Sequence, residues 1–173
     1  FCVINEDYGK DKRNETLSKL GNYILIDGDS IICSDDNTPI NENESYVLFT
    51  SGTTGTPKGI IISEAAALNT VNAINKMFAV SATDVILNIS NLYFDLSVFD
   101  IFSSMITGAE IVSVNPLFWN SVGDRYSNRI TIWNSTPALA NEFATKKGLD
   151  HIRLFLMSGD FVAINLVDKL FSM

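Results

Sequence analysis

The segment Tyr46–Ile60, YVLFTSGTTGTPKGI, decides how the fold of this chain is interpreted. Residues 50–59 hold three glycines, five hydroxyl side chains and one lysine. Glycines allow neighbouring backbone N–H groups to turn toward one anion, hydroxyls add donors, and Lys58 adds a positive charge. The pattern predicts a phosphate-binding loop at Ser51–Gly59, and a flexible surface turn is the alternative.

A phosphate loop of the Walker A type does not fit this segment. That motif requires a Gly-Lys-Ser/Thr sequence that opens a helix. Here Pro57 precedes Lys58, Gly59 follows it, and the next residues, Ile60–Ile62, are apolar and β-branched. We therefore expect a loop between two strands.

Apolar periodicity on both sides of the loop predicts an α/β fold. Before the loop, residues 1–45 are polar and mixed, with an exposed connection predicted at Ser34–Ser45. The predicted strands are Asn22–Ile26, Ile31–Cys33, Tyr46–Thr50, Ile60–Ile62, Val85–Ile89, Glu110–Val114, Thr131–Asn134 and Ile152–Met157, and the predicted helices are Glu64–Phe78, Val98–Ile106, Pro137–Lys147 and Ile164–Phe171. Such alternation implies a mostly parallel sheet covered by helices, with ligands at the carboxyl ends of the strands.

Composition excludes several other classes of protein. Hydrophobic residues make up 46% of the 173 residues and charged residues 18%, which suits a packed core. A net charge of −8 disfavours binding to nucleic acid or to an anionic membrane. The two cysteines, Cys2 and Cys33, form neither a disulfide framework nor a metal cluster, and no metal-ligand set is predicted. His151 is the only histidine, and no G-x-S-x-G elbow accompanies it, which argues against a serine hydrolase.

Asp95 is the candidate for recognition of an ammonium group. It follows an apolar strand and is flanked by Phe94 and Leu96. A carboxylate in an apolar pocket binds an ammonium strongly, because a low dielectric amplifies the attraction. Asp95 could instead cap the helix after it, although Ser97 could cap that helix equally well.

The loop at Tyr46–Ile60 resembles the signature loop of the adenylate-forming superfamily, in which it grips the β- and γ-phosphates of ATP. The resemblance implies catalytic roles for Lys58, Thr53 and Thr54. It implies a wider nucleotide-binding set of Thr50, Ser51, Gly52, Thr53, Thr54, Gly55 and Lys58, with Gly159 and Asp160 beside the adenine. The fold implied is part of the large N-terminal domain of such an enzyme.

The segment Asn91–Phe102, NLYFDLSVFDIF, resembles the motif in which adenylation domains of nonribosomal peptide synthetases place an aspartate against the α-ammonium of an amino acid. Acyl-CoA synthetases usually lack that aspartate. The segments Ile130–Leu139 and Ile152–Val162 are similar to adenylation domains of thiazoline-forming synthetases. That similarity implies a pocket that resembles the cysteine-selecting pattern and consists of Asp95, Leu96, Phe99, Asn134, Leu156 and Ser158. Leu96 and Phe99 could instead be core residues, and Asn134 could cap the helix after it.

The resemblance implies activation of an amino acid by ATP and Mg²⁺, followed by transfer to the phosphopantetheine thiol of a carrier protein in a cytoplasmic synthetase with neighbouring domains. It covers residues 46–173 as the adenylation core and residues 1–45 loosely. The chain departs from the family at Glu64, where a histidine is common. The expected magnesium ligand and C-terminal domain are absent from it, so we expect an inactive internal fragment. Another adenylate-forming ligase and a non-catalytic nucleotide- or amino-acid-binding module remain alternatives.

Overall fold

A computed structural model describes residues 2, 10–19, 24–27, 30–33, 43–51, 57–115, 126–143 and 151–172. The chain divides into two compact units, Phe1–Ala67 and Leu68–Met173. The sequence predicted a different division, into a loosely matched segment, residues 1–45, and a closely matched segment, residues 46–173. That division describes similarity to a family and not compactness, and it stays a prediction.

The first unit is built from a helix and two antiparallel strand pairs. Its elements are α1 (Lys10–Ser18), β1 (Ile24–Asp27), β2 (Ser30–Cys33), β3 (Glu44–Ser51) and β4 (Pro57–Ser63). Strand β1 pairs with β2, and β3 pairs with β4. All four strands were predicted to within two residues at each end, except that β4 begins at Pro57, three residues before the predicted Ile60. Helix α1 was not predicted.

The second unit contains the predicted parallel sheet. Helix α2 (Glu64–Met77) leads into it along the chain, and its elements are then β5 (Val85–Asn88), α3 (Asp95–Thr107), β6 (Glu110–Ser113), β7 (Ile132–Ser135), α4 (Pro137–Phe143), β8 (Leu154–Met157) and α5 (Ile164–Phe171). A 3-10 turn lies at Ser127–Arg129. The sheet order is β6-β5-β7-β8, and every pairing is parallel.

Side chains alternate between the two faces of this sheet. On one face, Ile86, Ile132 and Leu154 form a small core with Ala109. On the other face, Leu87 and Trp133 belong to a larger core. That core also contains Val85, Ile89, Val112, Val114, Ile130, Ala140, Leu166 and Leu170, so α4 and α5 pack on this side. Both central strands are buried along their whole length, as continuous apolar runs in parallel sheets predict.

The amino ends of the strands are held by Asp84, which precedes β5. Its carboxylate accepts hydrogen bonds from Arg153 Nε at 2.8 Å, from Arg153 Nη2 at 2.7 Å and from Thr131 Oγ1 at 2.8 Å. Arg153 also donates to the carbonyls of Phe78 and Ala79. The hydrogen bonds and charge of Arg153 lower the pKa of Asp84 to about 2, from 3.8. Three strands and the end of α2 are thus tied together opposite the end where ligands were predicted.

Candidate functional site

The predicted phosphate loop connects β3 and β4, which pair antiparallel. In the register of β3 and β4, Thr50 faces Lys58 and Ser51 faces Pro57. The prediction of a loop over Ser51–Gly59 was too wide, because Pro57, Lys58 and Gly59 already belong to β4. Residues 52–56, which include the predicted Gly52, Thr53, Thr54 and Gly55, lie outside the described part of the chain. Lys58 is exposed at the base of the hairpin turn.

Packing explains why position 59 is a glycine, independently of any ligand. It pairs with Phe49 across the hairpin. A Cβ atom on Gly59 would lie 3.3 Å from two atoms of the Phe49 ring and 3.4 Å from a methyl of Val47. The ring therefore covers the glycine, which keeps the two strands close immediately before the turn.

Helix α3 begins three residues earlier than predicted. Phe94 occupies the N-cap position with extended backbone angles, and no side chain caps the helix. Asp95 is the first helical residue and its side chain is exposed. The buried Ser97 hydroxyl donates to the carbonyls of Leu92 and Phe94, at 3.3 and 2.7 Å. Both capping alternatives were therefore wrong for this helix.

Three of the six predicted pocket residues are brought together by contacts. Asn134 Nδ2 donates to the carbonyl oxygen of Leu96 at 2.9 Å, although the two residues are 38 positions apart. Asn134 and Leu156 are partners in the parallel register of β7 and β8. Phe99 lies one turn after Leu96 in α3 and is buried. Ser158 is exposed just past β8, and its backbone N–H donates to Ser135 at 3.2 Å.

A polar cluster, consisting of the buried Asn88, Asp100 and Asn134 and the exposed Ser113, lies beside these residues. Asp100 is fully buried, and its two carboxylate oxygens accept hydrogen bonds from Asn88 Nδ2 at 2.9 Å and from Asn134 Nδ2 at 3.1 Å. Ser113 Oγ donates to Asn88 Oδ1 at 3.0 Å. Burial raises the pKa of Asp100 to about 7, and the two amide hydrogen bonds oppose that rise.

Sequence reasoning missed this cluster. Asp100 lies inside the apolar run Val98–Phe102, and that position was the available signal. A charged side chain in such a run requires buried polar partners. The alternative that Asn134 caps the helix after it was also wrong, because its amide group binds Asp100 and Leu96.

Comparison with known proteins places the chain in a family. The family model described as "AMP-binding enzyme" matches residues 5–172. The chain belongs to this family.

Its relatives include much longer proteins. It is 38% identical over 185 residues to the anguibactin system regulator of Vibrio anguillarum, covering 96% of the chain and 17% of that protein. It is 39% identical over 131 residues to bacitracin synthase 1 of Bacillus licheniformis, covering 72% of the chain and 2% of that protein. The resemblance to adenylation domains of nonribosomal peptide synthetases is confirmed.

A crystal structure of the nonribosomal peptide synthetase FmoA3 superimposes on this chain with a TM-score of 0.65 at 29% identity. The match covers 81% of the chain and 16% of FmoA3. A second structure of FmoA3, with AMPPNP bound, matches with a TM-score of 0.64 at 27% identity, over 83% of the chain and 15% of FmoA3. The predicted α/β class is confirmed by this fold.

Gly159 and Asp160, which were predicted to border the adenine, lie just after β8. Gly159 has φ +90°, in the left-handed region that favours glycine. The Asp160 carboxylate accepts a hydrogen bond from the Phe161 backbone N–H at 2.7 Å. Both residues are exposed, so they present backbone and carboxylate at the carboxyl end of the sheet.

The described residues include neither a cluster of metal-ligating side chains nor a helix that could span a membrane. Among them, no group of three or more His, Cys, Asp or Glu side chains is arranged to hold a metal ion. None of their helices has the length and apolar character needed to cross a membrane.

Proposed function

We propose that the protein containing this chain activates an amino acid with ATP, forming an aminoacyl-adenylate and pyrophosphate, and that the amino acid is L-cysteine. The chain spans 17% and 2% of the two relatives named above, so the activity belongs to a larger protein. The match to the AMP-binding family over residues 5–172 supports the ATP-dependent part.

The observation that carries the amino-acid assignment is the position of Asp95. Its carboxylate is exposed at the first residue of α3, next to Leu96, which contacts Asn134. Asp95 and Leu96 follow β5 along the chain and Asn134 is near the carboxyl end of β7, the end of the strands at which parallel sheets bind ligands. A carboxylate there suits an α-ammonium group, whereas a fatty acid offers no positive charge for it to bind.

In the proposed reaction, the amino-acid carboxylate attacks the α-phosphorus of ATP. One new bond joins the carboxylate oxygen to that phosphorus, and the bond between the α-phosphorus and the bridging oxygen breaks, so that pyrophosphate leaves. No nucleophile from the protein is needed. Lys58, at the base of the hairpin turn, and the hydroxyl-rich loop before it hold the leaving phosphates and stabilise their charge.

The size and polarity of the pocket support cysteine. In the proposed pocket, the side chains of Leu96, Phe99 and Leu156 would restrict the space for a ligand, and Asn134 would offer one polar group. An exposed hydroxyl, that of Ser158, lies beyond β8. A small side chain with a weak hydrogen-bond donor matches this combination better than a large or charged side chain.

Mg²⁺ would neutralise the phosphates of ATP, and we assign its ligands to parts of the protein outside this chain. The aminoacyl group then passes to the phosphopantetheine thiol of a carrier domain, beside neighbouring synthetase domains. An ATP-dependent synthetase of this kind would act in the cytoplasm. The isolated chain, without those parts, is expected not to turn over.

The test is amino-acid-dependent exchange of labelled pyrophosphate into ATP by the full-length protein, with all twenty amino acids and several fatty acids. We expect cysteine to stimulate exchange most, and Asp95→Ala to abolish that stimulation. Asp11→Ala is the matched control, because Asp11 is also an exposed aspartate in the first turn of a helix, α1. It should keep exchange unchanged.

Each other outcome rejects a specific part of the proposal. Stimulation by a different amino acid would refute cysteine and keep amino-acid activation. Stimulation by fatty acids alone would favour an acyl-activating ligase. A folded full-length protein without exchange for any substrate would favour a non-catalytic binding module.

A further inference from the structure

The amide of Asn134 is held in one orientation by two acceptors. Its Nδ2 group donates to the carbonyl oxygen of Leu96 at 2.9 Å and to Asp100 Oδ1 at 3.1 Å. A backbone carbonyl can only accept, so the nitrogen of the amide must face Leu96. Both amide protons are then used within the protein.

Asn134 Oδ1 receives no hydrogen bond from any residue that the structure describes. Asn134 is 4% exposed and pairs with Leu156, a second residue of the proposed pocket. The group that Asn134 can offer to a ligand is therefore an acceptor and not a donor.

Asp100 is itself fixed from the sheet. It is 0% exposed, and its second oxygen accepts from Asn88 Nδ2 at 2.9 Å. Asn88 is held in turn by Ser113, its register partner on β6. Residues from α3, β5, β6 and β7 thus determine where the Asp100 carboxylate lies.

We propose that Asp100 is a positioning residue: it fixes the amide of Asn134 so that Oδ1 faces the substrate side chain as a hydrogen-bond acceptor. The pocket then favours a side chain that can donate, such as a thiol or hydroxyl, over an apolar side chain of the same size. This inference rests on the proposed amino-acid activation and adds a reason for its selectivity.

A purely structural role for Asp100 makes a different prediction. Loss of a buried polar contact weakens the fold and lowers activity toward every substrate by the same factor. Loss of the acceptor orientation lowers activity only toward substrates that donate to Asn134. The ratio of two substrates therefore separates the two roles.

The experiment compares kcat/KM for cysteine and for 2-aminobutyrate, in which a methyl group replaces the thiol, by pyrophosphate exchange with the full-length protein. We expect Asp100→Ala to lower the ratio of the two values roughly three- to tenfold, the range of one modest hydrogen bond. Asp100→Asn should largely keep the ratio, because its side-chain oxygen can still accept a hydrogen bond from Asn134. The side-chain amide of Asn88 can flip to accept from the new amide nitrogen, because the Ser113 hydroxyl can accept a hydrogen bond as well as donate one.

Two further variants keep the inference falsifiable if Asp100→Ala does not fold. Asn134→Ala should lower the ratio to the same extent, and the double variant should lower it no further, because Asp100 acts through Asn134. An unchanged ratio in Asn134→Ala, or in folded Asp100→Ala, would overturn the inference and leave amino-acid activation standing. A wild-type preference for a side chain without a donor would also overturn it. Absence of exchange with every amino acid would overturn the proposed function, and the inference with it.

Discussion

Replacement of Asp84 by asparagine tests how much the ion pair at the amino ends of the strands stabilises the second unit. Asp84 accepts both hydrogen bonds of the Arg153 fork, at 2.7 and 2.8 Å. Its side chain is 4% exposed, whereas that of Arg153 is 41% exposed. A carboxylate in this position is far better stabilised than one on an open surface.

The magnitude follows from the pKa of Asp84, which falls from 3.8 to about 2 on folding. One pKa unit corresponds to about 1.4 kcal/mol, so the ionised carboxylate stabilises the fold by up to about 2.5 kcal/mol. Because Arg153 is in contact with solvent, the stabilisation is smaller than this upper bound. We expect Asp84→Asn to lower the free energy of unfolding by roughly 1–2 kcal/mol at neutral pH.

The lowered pKa of Asp84 also determines how its contribution to the free energy of unfolding changes with pH. The folded state binds fewer protons than the unfolded state between the two pKa values of Asp84, about 2 and 3.8. The contribution of Asp84 is therefore present above the unfolded pKa and is lost as the pH falls through the folded pKa. The difference between wild type and Asp84→Asn should shrink as the pH is lowered from about 5 to about 2.

The assay is urea unfolding of the 173-residue chain, followed by the fluorescence of the fully buried Trp133 in a Trp119→Phe background. Glu110→Gln is the matched control, because Glu110 forms an ion pair with Arg129 in which the side chains are 43% and 54% exposed. That variant should cost less than about 0.5 kcal/mol. The reasoning is refuted if Asp84→Asn costs no more than Glu110→Gln, or if its cost does not depend on pH.

Two other predictions concern the hairpin and the end of α3. Lys58→Ala should lower pyrophosphate exchange by the full-length protein about a hundredfold with little change in urea stability, because Lys58 is exposed and its proposed role is to stabilise phosphate charge. Gly108→Ala should cost about 1 kcal/mol in the urea assay, since Gly108 has φ +75° at the helix C-cap and the nearest atom to an added Cβ is an ordinary 3.5 Å away. Equal stability of Gly108→Ala and wild type would show that the left-handed angle carries no strain.

Helices and strands whose apolar residues recur at regular spacing were predictable from the sequence. Helix α1 lacks such spacing and was not predicted. The four strands of the parallel sheet lie within two residues of their predicted ends because each is a short apolar run between turns. The sequence of α1, KDKRNETLS, has no apolar stripe, so periodicity carries no information about it. Its helical side-chain contacts, such as Lys19 with Glu15, are local and weak.

The pairing of strands was harder to predict than their positions. The apolar runs beside the phosphate loop predicted strands at β3 and β4 but not the antiparallel hairpin that joins them. Only five residues, 52–56, connect the two strands, and a connection this short permits antiparallel pairing, whereas a parallel pair needs a crossover of about a dozen residues. Loop length was therefore the signal that would have corrected the expectation of a mostly parallel arrangement at this point.

Helix α3 contains two carboxylates, one exposed and one buried. Only the exposed one was predicted to be a site residue. Asp95 is exposed at its first residue and Asp100 is fully buried one and a half turns later. Helical spacing already places Asp100 one turn after Leu96, and Asn134 Nδ2 bonds both. Helical spacing cannot predict that Asn88 and Asn134, which are 46 residues apart, lie close enough to bind the same carboxylate. Their proximity requires β5 and β7 to be neighbours in the sheet. The selectivity proposed for the pocket therefore depends on strand order, which no local motif encodes.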